Sequence, residues 1–293
     1  MPGSPGEGAV TAVAPPAPVK PPEIEELVDE YFHRPLASHV VALLVHTSIT
    51  PNQVTIFAGI LGVASAIAIA AGAHQSQWIL VGAALLFLSV IFDCSDGQLA
   101  RAKKISSTTG AIVDGVSDYI VGTSVAIGAT YFLAAYYHNP WYWLLGLAGL
   151  VSTAVQSALF DHTKTAYAVR VGSGYSEREE DVQHITNERT RAWKEGRYRE
   201  ATLFWVYERY SKAQQVALHI RPVADPAAYR AANAGRMRTW TFLGIGTHLA
   251  LGYLLGAAAY WWPLAMASYF IICATVFNLL LVVLLWLEPR QGR

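Results

Sequence analysis

The sequence predicts an all-α integral membrane protein: six transmembrane helices, an N-terminal amphipathic juxtamembrane helix and a cytoplasmic helical insert. Three observations predict it. Of 293 residues, 53% are hydrophobic and only 14% are charged, against about 25% charged in an ordinary soluble domain. Apolar runs approaching the length that crosses a bilayer, about 20 residues, recur at 53–73, 77–99, 110–136, 141–160, 240–260 and 263–286. The connections between these runs alternate between basic and uncharged.

The elements follow in chain order. Residues 1–22 are rich in Pro, Gly, Ala and Val. Such a composition cannot build a core, so a disordered tail is expected. In 23–46, Ile24, Leu27, Val28, Tyr31 and Phe32 recur at helical spacing, with Glu23, Glu25, Glu26, Asp29 and Glu30 between them. This pattern predicts amphipathic helices lying on the membrane surface; the other reading packs them on the polar insert. Residues 51–160 hold the first four spans. The segment 161–238 carries most of the charge, including Glu177 to Asp181 and Arg189 to Arg199, and a short apolar stripe of Leu203, Phe204, Val206, Tyr207 and Tyr210. It reads as a cytoplasmic insert, either a solvated spacer or a gate over the site. Residues 239–287 hold the last two spans.

Loop charge fixes the expected orientation. The connections 74–76, 137–140 and Trp261-Trp262-Pro263 carry no Lys or Arg. Lys20 and Arg34, then Arg101, Lys103 and Lys104, the 161–238 insert, Arg290 and Arg293 all fall on the other side. The positive-inside rule places both termini and the site in the cytoplasm, in the cell membrane if the source is bacterial. Trp78, Trp141, Tyr142, Trp143, Trp261 and Trp262 cluster at the opposite face, as an aromatic belt does. No secretory signal peptide is expected, because the first long apolar run starts near Pro51. Lys+Arg and Asp+Glu both number 21, which argues against nucleic acid as a partner. Cys94 and Cys273 stand far apart and suggest neither a disulfide framework nor a thiolate zinc site.

The chemistry gathers at one pair of spans. The second ends Asp93-Cys94-Ser95-Asp96-Gly97-Gln98-Leu99-Ala100-Arg101, and the third begins Gly110-Ala111-Ile112-Val113-Asp114-Gly115-Val116-Ser117-Asp118. Ionisable groups inside a span are costly and mark function. Asp93 and Asp96 share one helix face, as do Asp114 and Asp118. A short connection makes the two helices antiparallel neighbours, so the faces meet. Four clustered carboxylates repel one another unless a cation joins them, and an all-oxygen donor set suits Mg²⁺, Mn²⁺ or Ca²⁺. Gly97, Ala100 and Gly110 thin the helices beside the acids. Arg101 offers a fixed charge to a phosphate.

Together the residues spell D-x-x-D-G-x-x-A-R-(x)8-G-x-x-x-D-x-x-x-D. This resembles the signature of the CDP-alcohol phosphotransferase (CDP-alcohol phosphatidyltransferase) family, and the resemblance extends to Thr50-Pro51-Asn52-Gln53-Val54-Thr55. It implies two divalent ions, Mg²⁺ or Mn²⁺, held by Asp93, Asp96, Asp114 and Asp118, with Asp118 also the general base. It implies CDP contacts from Asn52, Thr55, Asp96, Gly97, Ala100, Arg101 and Gly110. The implied reaction moves a substituted phosphate from a CDP-linked donor, CDP-diacylglycerol or a CDP-alcohol, to an alcohol acceptor and releases CMP. Phospholipid or inositol-phosphodiester biosynthesis is the implied setting, with the bilayer and a homodimer as allowed partners. Tyr31-Phe32-His33-Arg34-Pro35 resembles the inositol-phosphate-using branch, whereas Tyr119 stands where several such enzymes have a basic residue. Asp161, Lys164 and Arg170 read either as contacts for a phosphate on the acceptor or as interfacial anchors. The rival reading is a divalent-cation transporter, which uses the four acids but leaves Gly97, Ala100 and Arg101 without a role.

Overall fold

The computed structural model describes residues 20–105, 108–173, 182–198, 200–202, 204–205, 208–209 and 223–287. The expected tail, apart from 20–22, lies outside them. So do Glu177 to Asp181, Leu203, Val206, Tyr207, Tyr210, Arg290 and Arg293. Among the described residues the chain is all-α.

Helix α1 is Arg34–Leu44, preceded by a π-helical turn, Asp29–His33. Helix α2, Pro51–Ala71, starts at a capping box: the Gln53 amide donates to Thr50 Oγ1 (3.4 Å) and the Thr50 amide to Gln53 Oε1 (2.9 Å). Proline at the first helical position adds the fixed backbone angle that a helix start needs. Helices α3 (Gln77–Lys103), α4 (Thr108–Tyr136) and α5 (Tyr142–Arg170) follow. Then come α6 (Val182–Lys194), α7 (Pro226–Trp240), α8 (Ile245–Ala258), α9 (Leu264–Ala274) and α10 (Val276–Trp286).

Helix α2 packs against both α3 and α4, α8 lies on α3, and α9 packs on both α8 and α5. Small residues let these helices approach, as they do where lipid gives no hydrophobic drive to associate. A Cβ on Gly128 of α4 would lie 2.3 Å from the Ala66 carbonyl oxygen of α2. Ser65 and Ser89 donate across the α2–α3 seam to the carbonyls of Gly82 and Ala58, each at 2.8 Å. The principal core joins Leu86, Val125, Phe132, Leu133, Met266 and Phe270.

Among the described residues five helices, counting Leu264–Trp286 as one span, are long and apolar enough to cross a membrane. A sixth span forms if the bent pair Pro226–Leu243 and Ile245–Ala258 counts as one. The fifth run, expected as a continuous helix over 240–260, is therefore broken, with a 46° bend. Gly244 is extended there (φ −78°, ψ 159°), and the cause is lateral. The Glu26 side chain lies against Gly244 so closely that a Cβ would sit 2.1 Å from its carboxyl carbon.

Two expected boundaries also shift. Helix α5 continues through Arg170, past the expected start of the insert at 161, and 226–238 belongs to α7, which packs on α5. In the remaining insert, Ile185, Ala192, Ala201 and Phe204 form a small buried cluster against Val116 of α4. The N-terminal segment differs as well. Tyr31 and Phe32 are exposed as expected, but its acidic face turns inward: Glu25 and Glu26 are buried. The reason is pairing. Glu23 meets Arg230 at 2.8 Å, Glu30 meets Arg238 at 2.6 Å, and Glu25 meets both Lys20 and Arg34 at 2.7 Å.

Glu26 instead caps α8. It accepts from the amides of Gly246 (3.2 Å) and Thr247 (2.7 Å) and from Thr247 Oγ1 (2.9 Å). Burial, reinforced by the neighbouring Asp29 carboxylate, outweighs these bonds and raises its pKa from 4.5 to about 8. The native state then holds the proton more tightly than the unfolded chain. Its contribution to stability is full below pH 4.5 and is lost as pH rises through about 8. Thermal unfolding of the detergent-solubilised protein is expected at lower temperature at pH 9 than at pH 5. Glu26→Gln should flatten that difference; an unchanged slope would show that other groups set it.

Candidate active site

The last two turns of α3 and the first turns of α4 face each other because the connection between them is short. Lys104 closes α3 in the left-handed region (φ 56°), and the Ile105 amide returns to the Ala100 carbonyl at 2.9 Å. This is the helix-ending motif that usually takes glycine. Lys103 reaches back to the carbonyls of Thr47 and Ile49, at 2.8 and 2.7 Å, and fixes the start of α2 beside this end.

Carboxylate oxygens of Asp93, Asp96 and Asp114 lie within 4.8 Å of one another. Asp96 is buried and the other two are half-buried. Asp118, one turn further along α4, stands outside this trio. It remains near enough to act electrostatically on Asp93, and Asp114, Asp96, Asp161 and Glu26 act on it. Thr55 of α2 is buried and its hydroxyl donates to Asp96 Oδ2. The same hydroxyl lies 3.2 Å from the Pro51 carbonyl oxygen.

The remaining sequence-predicted residues fall around this trio. Asn52 is half-buried one turn before Thr55, on the same face of α2. Ala100 is half-buried one turn beyond Asp96, and Gly110 is half-buried one turn before Asp114. Arg101 is exposed. A Cβ on Gly97 would meet only the Arg101 guanidinium, at 3.6 Å. Unlike Gly128, this glycine is not required by helix packing; it leaves open space between Asp96 and Arg101. On α5, Lys164 pairs with Asp161 at 3.3 Å, while Arg170 faces the Tyr229 ring and donates to its hydroxyl at 3.2 Å. Arg170 is thus tied to α7.

Sequence reasoning passed over Asp29 and His33, which the fold brings to the edge of this site. His33 is fully buried, with Nδ1 2.7 Å from Asp29 Oδ1 and Nε2 3.0 Å from the Tyr253 hydroxyl. Their i,i+4 spacing is the available signal in the sequence, within a segment that reads as an amphipathic surface helix.

With this geometry in place, the likeness to known proteins has a location. Residues 48–177 match the family described as CDP-alcohol phosphatidyltransferase, a span that contains Thr55, the acidic trio and Asp118. Over these residues the chain is similar to CDP-alcohol phosphatidyltransferases. Relatives agree with that assignment. A bifunctional IPC transferase and DIPP synthase of Thermococcus kodakarensis is 34% identical over 137 residues, 45% of this chain and 29% of the relative. A protein of the same name from Rubrobacter xylanophilus is 34% identical over 96 residues, 31% of this chain and 21% of the relative. The chain thus matches less than a third of the length of either. Within the matched residues the acids come from α3 and α4. The turn Asp29–His33, α7 and α8 lie outside the matched residues.

Proposed function

We propose that the protein transfers a substituted phosphate group from a CDP-linked donor to an alcohol, releasing CMP, at a centre of Asp93, Asp96, Asp114 and Asp118. The observation that carries this reading is the convergence of three carboxylates beside a helix face left open at Gly97. The donor set fits Mg²⁺ or Mn²⁺: it is all oxygen and partly buried, and the family is one in which divalent metals are general. Asp93, Asp96 and Asp114 would hold the first ion, and Asp118 with its neighbours a second. Bound there, the ions would neutralise the pyrophosphate and stabilise the leaving CMP.

The chain's own residues divide the rest of the work. Thr55 orients Asp96 through its hydroxyl. Arg101 supplies positive charge to a donor phosphate, with Gly97 and Ala100 making room for it. Asn52 and Gly110 line the approach to the cytidine. The Asp118 carboxylate takes the acceptor's hydroxyl proton. Both relatives carry the words DIPP synthase in their names, and Tyr31 to Pro35 resembles the inositol-phosphate-using branch. An inositol phosphate is therefore the first acceptor to test, with CDP-diacylglycerol and CDP-inositol as donors. Release of CMP only when both substrates are present would support the transferase. Cation flux through vesicles without CMP release would favour the transporter instead.

Gly97→Leu tests the donor position. Because Gly97 has open space on its outer side, the variant should keep its unfolding temperature within a few degrees. Its affinity for the CDP-linked donor should fall by about tenfold or more, roughly 1.4 kcal/mol. Unchanged donor affinity would remove Gly97 from the site.

The proposed orientation places the acidic trio, the insert and both termini in the cytoplasm. Cysteines introduced at Gln75 and Asn187 should react with a membrane-impermeant maleimide from opposite sides of sealed vesicles. Labelling of both from one side would overturn the topology.

A further inference from the structure

The fold assembles a second group of ligating side chains, of different chemistry from the acidic trio. A carboxylate oxygen of Asp29, a ring nitrogen of His33 and the Sγ of Cys94 all lie within 4.8 Å of one another. Asp29 and His33 stand at the two ends of a π-helical turn, a rare form that recurs at functional sites. That turn brings His33 Nδ1 to 2.7 Å from Asp29 Oδ1. Cys94 comes from α3, on the far side of the chain break that separates the N-terminal segment from the spans. The start of α8 is bare beside Asp29: a Cβ on Gly246 would come within 2.8 Å of its carboxylate.

The surroundings suit a ligating imidazole. His33 is fully buried, and its Nε2 lies 3.0 Å from the Tyr253 hydroxyl of α8. A histidine that binds a metal through one nitrogen almost always engages the other with such an outer partner, which fixes the ring and its tautomer. The Tyr253 ring stands edge-on to the imidazole at 6.0 Å, and Phe87 backs Tyr253 at 5.4 Å. One sulfur, one nitrogen and one carboxylate oxygen form a donor set for borderline-soft Zn²⁺ rather than for Mg²⁺ or Mn²⁺. Cys94 and Cys273 are too far apart in the chain to suggest a thiolate cluster, but a mixed site needs one thiolate only. We propose that Asp29, His33 and Cys94 form a Zn²⁺ site, separate from the acidic trio, that clips the N-terminal segment to α3. On binding, Nδ1 turns its lone pair to the ion, the imidazole proton sits on Nε2 and is donated to Tyr253, and the Cys94 thiol proton leaves to solvent. Uptake therefore releases a proton. The site does not depend on how the trio is read, and two of its ligands lie outside the matched residues 48–177.

The test uses Co²⁺ as the probe, because a thiolate bound to Co²⁺ gives a near-ultraviolet charge-transfer band that an all-oxygen site does not. The purified full chain is stripped with a chelator, reduced, and titrated with Co²⁺ in excess Mg²⁺, which competes for oxygen sites but not for a thiolate. The unsubstituted protein should show the band, and Zn²⁺ should abolish it. Cys94→Ser should remove the band. Cys273→Ser should keep it, although Cys273 Sγ lies 3.7 Å from His248 Nδ1. Asp114→Asn should keep it as well. His33→Leu should weaken Co²⁺ binding by at least about tenfold, since loss even of an outer partner costs about 10- to 100-fold. No band in the unsubstituted protein, or a band kept in folded Cys94→Ser, overturns the proposal. So does a band lost in Cys273→Ser, which would put the thiolate elsewhere, or in Asp114→Asn, which would merge the site with the trio. If Cys94→Ser does not fold, His33→Leu decides: unchanged Co²⁺ affinity there overturns the site.

Discussion

Asp93→Asn is expected to abolish CMP release and to weaken Mn²⁺ binding by at least about a hundredfold, beyond what loss of an outer carboxylate costs. Asp93 is one of three acids whose oxygens converge within 4.8 Å. An amide there keeps the size of the side chain but removes a charge and the better of two ligating oxygens. It also leaves a nitrogen donor pointing at a cation. Asp114→Asn should behave alike, since it removes the trio's only member from α4. Excess EDTA should reproduce both. The control is Asp225→Asn, outside the site. Asp225 caps α7 by accepting from the Ala228 amide at 3.0 Å, and asparagine caps as well as aspartate. Activity in that variant should be normal. Full turnover of Asp93→Asn, or full turnover in EDTA, would rule out a metal-dependent reaction at this cluster.

The acidic trio could be read from the sequence because its geometry is local. Asp93 and Asp96 share a face by helical periodicity alone, and a short connection brings Asp114 opposite them. No distant contact has to be known. Thr55 is reached only through the family resemblance, because its bond to Asp96 joins residues 41 apart on different helices. The open side of Gly97 was also foreseeable, although only the structure separates it from Gly128, where a helix presses close.

What could not be read depends on contacts between segments far apart in the chain. Glu25, Glu26 and Glu30 have the spacing of a solvated face. They are turned inward because Arg238 and the bare amides of Gly246 and Thr247 lie more than 200 residues later. The bend at Gly244 has the same origin: a glycine in an apolar run is unremarked until the Glu26 carboxyl is found against it. Asp29 and His33 were hidden with them. The small cluster that seats the insert on Val116 likewise uses residues 185–204, separated from α4 by the whole of α5.

The broken span affects the N-terminal segment because Glu26 and Asp29 both dock at the start of α8. The bend thus joins the N-terminal segment to the matched domain.

Asp118→Asn is expected to lower the transfer rate by about 10² to 10⁴-fold, roughly 3 to 5 kcal/mol of barrier, with donor affinity largely kept. The position supports a role distinct from that of the trio. Asp118 lies one turn beyond Asp114 on α4 and is not among the three acids that converge, yet it acts on Asp93 and is acted on by Asp161 of α5. It therefore lies further along α4 than the trio's Asp114, away from the α3–α4 connection. An alcohol placed beyond the pyrophosphate would meet this carboxylate before any other. Asparagine preserves the shape and leaves Asp93, Asp96 and Asp114 to bind cation and donor, but it cannot accept the hydroxyl proton. The contrast with Asp93→Asn is the discriminating measurement: that variant should lose Mn²⁺ and donor together, whereas Asp118→Asn should lose turnover alone. Donor affinity by calorimetry and CMP release under saturating acceptor would be measured on both. Near-normal turnover in Asp118→Asn would place the base elsewhere. A loss of donor binding as large as that in Asp93→Asn would leave Asp118 only its ligand role and place the base elsewhere.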